Sequence, residues 1–467
     1  MHRSSDAPRR VSSAHDGGRL ALAAVLLVPC AALAQSPAVP VPIPKNIILP
    51  NYDNVLVGPV EAVEAGAYLA RTSDASANFY NPAGLAAATR SAITASASGF
   101  VWSWLRSRAL GQTTSSSRIE TTPGYFALVI GEPILKGDRL RLGFSITNAV
   151  SSSPSGIDEV FEVPPGSGQR LTYSSKVGFS VVVPTVSVGY KLTRTVRLGV
   201  GAGLSHTTYS DQETFSGEMP ISGRTAQFVS VFRASGDIYH LALSAGVQWD
   251  ATPRLTLGAV VRAPGLRISS SSLVTYESAT QGGGLATSTY FRDDSGAFDY
   301  KPPLELSAGI ACRLGPVEAE IDLRYHSNVG QYTFYGSARS LQVTTQNPDG
   351  TTSRSTQAFT DLTYSSRAVT NVAVGARYHA GKVLALRAGF FASFSPIGDA
   401  ALAPFQRADL YGVTAGAAFA GEHWSGSLGL AYEFGSSTAV QSSAGAGLGT
   451  ALDFRSATLL YAIGYKF

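Results

Sequence analysis

Between Val317 and His326 the chain reads VEAEIDLRYH: Val317, Ala319, Ile321, Leu323 and Tyr325 alternate with Glu318, Glu320, Asp322, Arg324 and His326. Side chains of an extended chain point alternately to opposite faces, so this segment is a strand with one apolar face and one almost wholly charged face. Residues 254–262 and 424–434 alternate in the same way. Similar segments lie near 92–104, 123–133, 139–149, 180–191, 196–206, 238–249, 303–313, 369–379, 383–394, 410–419 and 455–467. One such strand fits a soluble sandwich with its charged face to water. About fourteen of them, each roughly nine to eleven residues long, fit an all-β, transmembrane antiparallel barrel.

The connections sharpen that expectation. Short links such as Lys136-Gly137-Asp138, Thr193-Arg194-Thr195, Leu314-Gly315-Pro316 and Ala380-Gly381-Lys382 alternate with long Ser/Thr/Gly-rich stretches near 105–122, 151–176, 207–236, 264–301, 327–366, 395–408 and 435–454. Short turns at one end and long loops at the other are the topology of an outer-membrane barrel, whereas a sandwich has no reason to keep the asymmetry. Charged residues make up 15% of the chain, well under the roughly 25% of soluble domains, while Gly numbers 48.

The N-terminus supplies the address. Arg3, Arg9, Arg10 and Arg19 precede an apolar run from Leu20 to Leu33 that closes on Ala32-Leu33-Ala34, so residues 1–34 read as a secretory signal peptide. Its removal takes away four Arg and two Asp and leaves 32 basic against 30 acidic side chains, a balance that gives no case for nucleic acid. Cys312 then stands alone, so no intrachain disulfide forms. Residues 35–50 are a Pro-rich, extended leader, 51–88 a separate non-alternating segment, and 89–467 the barrel. In the last strand Ala457, Leu459, Tyr461, Ile463, Tyr465 and Phe467 share a face, and a terminal aromatic of this kind resembles the signal by which bacterial outer-membrane proteins reach their insertion machinery. Trp102, Trp104, Trp249 and Trp424 suit interfacial girdles.

The stretch GAYLARTSDASANFYNPAGLA, residues 66–86, resembles the N-terminal signature of the FadL/TodX family of outer-membrane transporters of long-chain fatty acids and other hydrophobic compounds, with Asn81-Pro82-Ala83 as its core. Ser73-Asp74 stands where the family has an acidic pair. The resemblance implies a monomeric barrel of about fourteen strands in the bacterial outer membrane. It also implies a hatch of small helices in the lumen, here about residues 51–88, with Asn81, Pro82 and Ala83 as the hatch motif. The implied partners are outer-membrane lipids and a hydrophobic ligand, a fatty acid or an aromatic hydrocarbon. Capture by extracellular loops and passive, sideways release at a kink in the third strand complete the implied route. That strand falls at about 139–150, with Gly143 or Asn148 as the kink.

Arg262, Arg324, Arg377 and Arg387 fall on the inward register with several carboxylates. They fit an internal salt-bridge network, or ligand contacts in which a guanidinium grips a carboxylate. The five His outside the signal peptide are isolated, and H-E-x-x-H and G-x-S-x-G are both lacking. The segment from Gly375 to Lys382 mimics a P-loop, but is one residue too long and is followed by Val383. The expectation is therefore no enzyme, no metal and no cofactor. A general diffusion porin and a non-transporting structural or adhesive barrel remain the alternative readings of the same strands.

Overall fold

The computed structural model describes residues 49–109, 112–162, 170–221, 224–282, 284–347, 349–398, 405, 407–438 and 451–467. The expected signal peptide, and the expected leader up to residue 48, lie outside the described residues. Fourteen antiparallel strands close a barrel. They are β1 (Ala92–Ala109), β2 (Gln112–Ile130), β3 (Leu140–Glu162), β4 (Arg170–Lys191), β5 (Val196–Ile221), β6 (Arg224–Thr252), β7 (Leu255–Arg262), β8 (Glu305–Leu314), β9 (Val317–His326), β10 (Val369–His379), β11 (Leu384–Ser393), β12 (Arg407–Ala420), β13 (Trp424–Thr438) and β14 (Ala451–Lys466). Each pairs with its neighbour in sequence, and β14 pairs with β1 from Ala92↔Lys466 to Arg108↔Ala451, which leaves the ring without an edge.

The wall is apolar outside and polar inside. On β9, Val317, Ile321, Leu323 and Tyr325 are exposed, whereas Glu318, Glu320, Asp322 and His326 are buried. Leu428 and Leu430 on β13 are each 60% exposed, and Trp104, Trp249 and Trp424 also point outward. A sandwich in water would bury the opposite set, so the alternation has its physical explanation in a lipid-facing exterior. No helix among the described residues is long and apolar enough to cross a membrane.

Several stretches expected as loops are strand. β1–β2, β3–β4 and β5–β6 continue as paired ladders through 105–109 and 112–122, much of 151–176 and most of 207–236. Above the bilayer both faces of a strand meet polar surroundings, so Ser and Thr replace the alternation while the backbone ladder persists. Four further strands, Leu266–Gly282, Leu285–Asp293, Ser340–Gln346 and Thr352–Ala358, extend the sheet from the upper half of β6. A three-stranded sheet of Ala297–Phe298, Val329–Gly336 and Leu362–Ser366 joins them at the long-connection end. Phe298, Phe334, Tyr335, Leu341, Ile397 and Phe405 form the tightly packed centre of this canopy.

Residues 49–91 run inside the ring. The turn Ala62–Glu64 touches β10–β13, Ala75–Asn78 touches β1–β4, and Pro82–Ala87 touches β3–β6. The small helices expected here are 3-10 turns of three to six residues. Helix nucleation is unfavourable over so few residues, and the wall supplies the alternative bonds: Asp322 accepts the N–H of Tyr68 at 2.8 Å and Leu69 at 3.2 Å, and Glu320 accepts that of Ala70 at 2.6 Å. Backbone approaches wall at glycines. A Cβ on Gly199 would stand 2.2 Å from the Ala83 nitrogen and the Pro82 carbonyl carbon, and one on Gly389 would stand 2.5 Å from the Glu64 carbonyl carbon.

Candidate functional site

Asn81 is fully buried and ties three pieces of chain together. Its Oδ1 accepts the Ala83 N–H at 3.1 Å and so caps the Pro82–Ala87 turn, while Nδ2 donates to the carbonyls of Leu69 at 2.9 Å and Val247, on β6, at 3.0 Å. Pro82, next in the chain, has no N–H that would need a partner at this first turn. Gly246 leaves the space, since a Cβ there would meet Asn81 Oδ1 at 2.1 Å. Removing the amide strands the buried Ala83 N–H and takes a donor from the part-buried Val247 carbonyl, at about 1–3 kcal/mol for each group left unsatisfied, while the Leu69 carbonyl keeps Gln248 Nε2 at 3.3 Å. Asn81→Ala is therefore expected to raise hydrogen exchange across residues 66–88 by on the order of tenfold or more while the barrel strands stay protected. Equal protection in both proteins would show that the junction is not what holds the segment.

A ladder of buried charge fastens the same segment to β9–β11. Arg71 lies between Glu64 at 2.6 Å and Glu320 at 2.7 Å, and Arg387 of β11 pairs with the other oxygen of Glu64. Arg377 of β10 pairs with Glu318 and reaches the Tyr68 hydroxyl at 3.2 Å.

Next to this seam lies a cavity of about 210 Å³. Tyr52, Phe79 and Tyr80 come from the internal segment, Val150, Val181 and Val183 from β3 and β4, and Leu243, Tyr300 and Pro302 from β6 and the connection before β8. The Asp53 carboxylate on its polar floor is already paired. Asp53 takes His326 Nε2 at 3.0 Å, Asn371 Nδ2 at 2.7 Å and Arg324 Nη1 at 3.5 Å. Burial of Asp53 opposes its ionisation, but His326, Arg324 and Asn371 outweigh it and hold the carboxyl below the usual range. Arg262 pairs with Glu305, donates to the Phe79 carbonyl and lies 5.4 Å over the Phe79 ring. Arg324 also donates to the Gly66 carbonyl and lies 5.6 Å over Tyr80.

Of the four arginines singled out from the sequence, Arg262 and Arg324 line this cavity, and Arg377 and Arg387 lie elsewhere on the wall. Tyr52 and Asp53 escaped sequence reasoning because they follow a Pro-rich stretch with no periodicity. The signal was the run Asn51-Tyr52-Asp53-Asn54, in which each polar side chain has a partner: Asn51 donates to Ser393 and Ala408 carbonyls, and Asn54 donates to Ser151 at 2.6 Å.

The internal segment also holds a proton. Ser76 Oγ is 2.7 Å from Glu61 Oε1 and 2.6 Å from Asp74 Oδ1, yet a hydroxyl has one hydrogen to give, so the second contact requires a proton on a carboxyl. Burial first, then the neighbouring Asp74 carboxylate, push Glu61 up to about 8. The folded segment thus keeps a proton that the unfolded chain releases near 4.5, and the stability that Glu61 contributes is full below that value and lost as pH rises through about 8. Exchange over residues 58–78, corrected for its intrinsic pH dependence, is expected to quicken across that window and to lose the trend in Glu61→Gln. A wild-type protein with flat corrected protection would contradict it.

No protein-family model matches this chain, and no curated protein sequence does. Among solved structures it is similar to a FadL homologue of Pseudomonas aeruginosa (15% identity, 89% of this chain and 100% of that one, TM-score 0.57). It is likewise similar to the toluene transporter TodX of P. putida (14%, 89% and 99%, TM-score 0.60) and to the toluene transporter TbuX of Ralstonia pickettii (13%, 89% and 99%, TM-score 0.51). The chain has the fold of the FadL- and TodX-type barrels.

Proposed function

We propose that this protein is a monomeric outer-membrane channel through which hydrophobic molecules diffuse passively, with residues 51–88 as the hatch that closes the lumen to ions. The observation that carries the reading is the pairing of a lipid-facing barrel with an internal segment whose apolar cavity opens beside the wall. An apolar ligand gains about 0.8 kcal/mol for each CH₂ withdrawn from water, so a dry pocket selects by burial, and a concentration gradient supplies the drive.

Release sideways into the membrane is supported at the β2–β3 seam. These strands pair only from Tyr125↔Thr147 to Ile130↔Leu142, whereas β1–β2 and β3–β4 pair over nearly their whole lengths. β3 is irregular between Asn148 and Val150 and again between Ser152 and Ser155, where the ladder to β2 has ended. Thr147, Ala149 and Val150 line the cavity at that point. A ligand leaving there enters lipid without being rehydrated.

Cavity size and charge favour a compact, neutral ligand. About 150 Å³ of apolar cavity holds a benzene, so about 210 Å³ suits a monoaromatic hydrocarbon better than an extended fatty acyl chain. Arg262 and Arg324, which could grip a carboxylate, are engaged by Glu305 and Asp53. Toluene carriage by the similarly folded TodX and TbuX agrees with this preference.

Planar-bilayer recording of the purified protein tests the closed lumen, and native mass spectrometry after exposure to toluene or palmitate tests the ligand. The expected results are baseline conductance and retained toluene. A stable, large ion-conducting pore would favour a diffusion porin, and retention of palmitate with exclusion of toluene would reverse the ligand assignment.

A further inference from the structure

At the short-turn end of the barrel, on the opposite side of the internal segment from the apolar cavity, lies a polar pocket of about 380 Å³. Five arginines line it: Arg71, Arg197, Arg254, Arg313 and Arg377. Two are neutralised, Arg71 by Glu64 and Glu320 and Arg197 by Asp250. Arg313 and Arg377 share one carboxylate, Glu318, which accepts from Arg313 at 2.8 Å and from Arg377. Arg254 makes no ion pair among the described residues.

Arg254 and Arg313 are also cross-strand neighbours. The Arg313 N–H donates to the Arg254 carbonyl at 2.8 Å, one step beyond the Leu255↔Cys312 pair of the β7–β8 ladder. Like charges directly opposite each other on one face of a sheet destabilise it, unless an anion lies between them. Three guanidinia against one carboxylate leave an excess of two positive charges at a mouth that the hatch closes from above. Guanidinium groups hold tetrahedral oxyanions through paired N–H donors, and the hydroxyl of Ser73 stands in the same pocket as a further donor.

We propose that this pocket binds a phosphate-class dianion, inorganic phosphate or a small phosphomonoester, between Arg254 and Arg313. The site faces the lumen, whereas lipid headgroups ring the outside of the barrel, so the anion comes from free solution. The inference does not depend on what crosses the apolar cavity. It adds to the channel a soluble anionic ligand on the side opposite to hydrophobic capture.

Equilibrium dialysis of ³²P-orthophosphate against the full-length protein in detergent, at fixed chloride, tests it. Saturable binding of one phosphate per chain is expected, weakened on the order of tenfold or more in Arg254→Gln/Arg313→Gln. Binding no stronger than an equal concentration of added chloride can displace, or equal binding by the double variant, would overturn it. Should that variant fail to fold, Arg254→Gln alone, which breaks no ion pair, carries the same comparison. Loss of the bound phosphate in nanodiscs containing phosphatidic acid, but not in phosphatidylcholine nanodiscs, would give the site to a lipid headgroup and overturn the assignment to a free anion.

Discussion

Gly199→Val is expected to turn a closed lumen into an ion-conducting one. The glycine lies on β5 where the backbone of Pro82-Ala83 rests against the wall, and the added Cβ alone would come within 2.2 Å of two backbone atoms. A strand accepts valine readily, so the barrel keeps its fold and the internal segment must move instead. The segment cannot shift slightly, because Gly189 is filled the same way, with a Cβ there 2.7 Å from the Ala86 nitrogen, and Gly246 is filled by Asn81. Displacing it exposes a lumen close in width to those of barrels that conduct, and conductance should rise on the order of tenfold or more above the wild-type baseline. A folded Gly199→Val barrel that stays silent would mean that something other than residues 51–88 closes the channel. Gly137, at a short turn with nothing within 4 Å of its added Cβ, gives the matched control once its left-handed backbone is kept by Gly137→Asn.

The second large effect is electrostatic. Glu64 is wholly buried, and its two oxygens hold Arg71 and Arg387, so Glu64→Ala leaves Arg387 without a carboxylate partner among the described residues. Breaking a buried pair by removing one member costs about 3–5 kcal/mol, because the remaining charge stays desolvated. Arg71 retains Glu320 at 2.7 Å, which places the result nearer the lower end. Opening of the internal segment should rise by roughly a hundredfold or more, read as proteolytic cleavage within residues 51–88 while the barrel stays resistant. Glu64→Ala/Arg387→Met, which removes the stranded charge, should recover much of the loss. An unrescued double variant would place the defect in packing at Ala65 and Gly389 instead.

How far the sequence alone reaches follows from what each feature depends on. The barrel strands were legible because lipid outside and polar contents inside impose a two-residue period, and Val317–His326 displays both faces. Their extensions were not, since Thr113, Ser115 and their neighbours continue the β1–β2 backbone ladder through a polar stretch of sequence that leaves no period. The canopy was hidden for a related reason: Phe298, Phe334 and Phe405 come from separate stretches, and their mutual burial is set by topology rather than spacing. Inward arginines were visible by register, but the carboxylate each one meets is supplied by segments up to hundreds of residues away, as with Glu64 and Arg387. Asn81-Pro82-Ala83 stood out as a turn. Only the wall around it shows the turn as a clasp, held by Val247 and seated against Gly199 and Gly246.

On the proposed function, hydrophobic compounds cross through this protein while ions and sugars do not. The most direct measurement of this selectivity is the initial uptake rate of radiolabelled toluene and of a small hydrophilic sugar by cells carrying or lacking the protein in otherwise identical outer membranes. Faster toluene entry with the protein present and unchanged sugar entry are expected. Faster sugar entry with unchanged toluene entry would contradict that function.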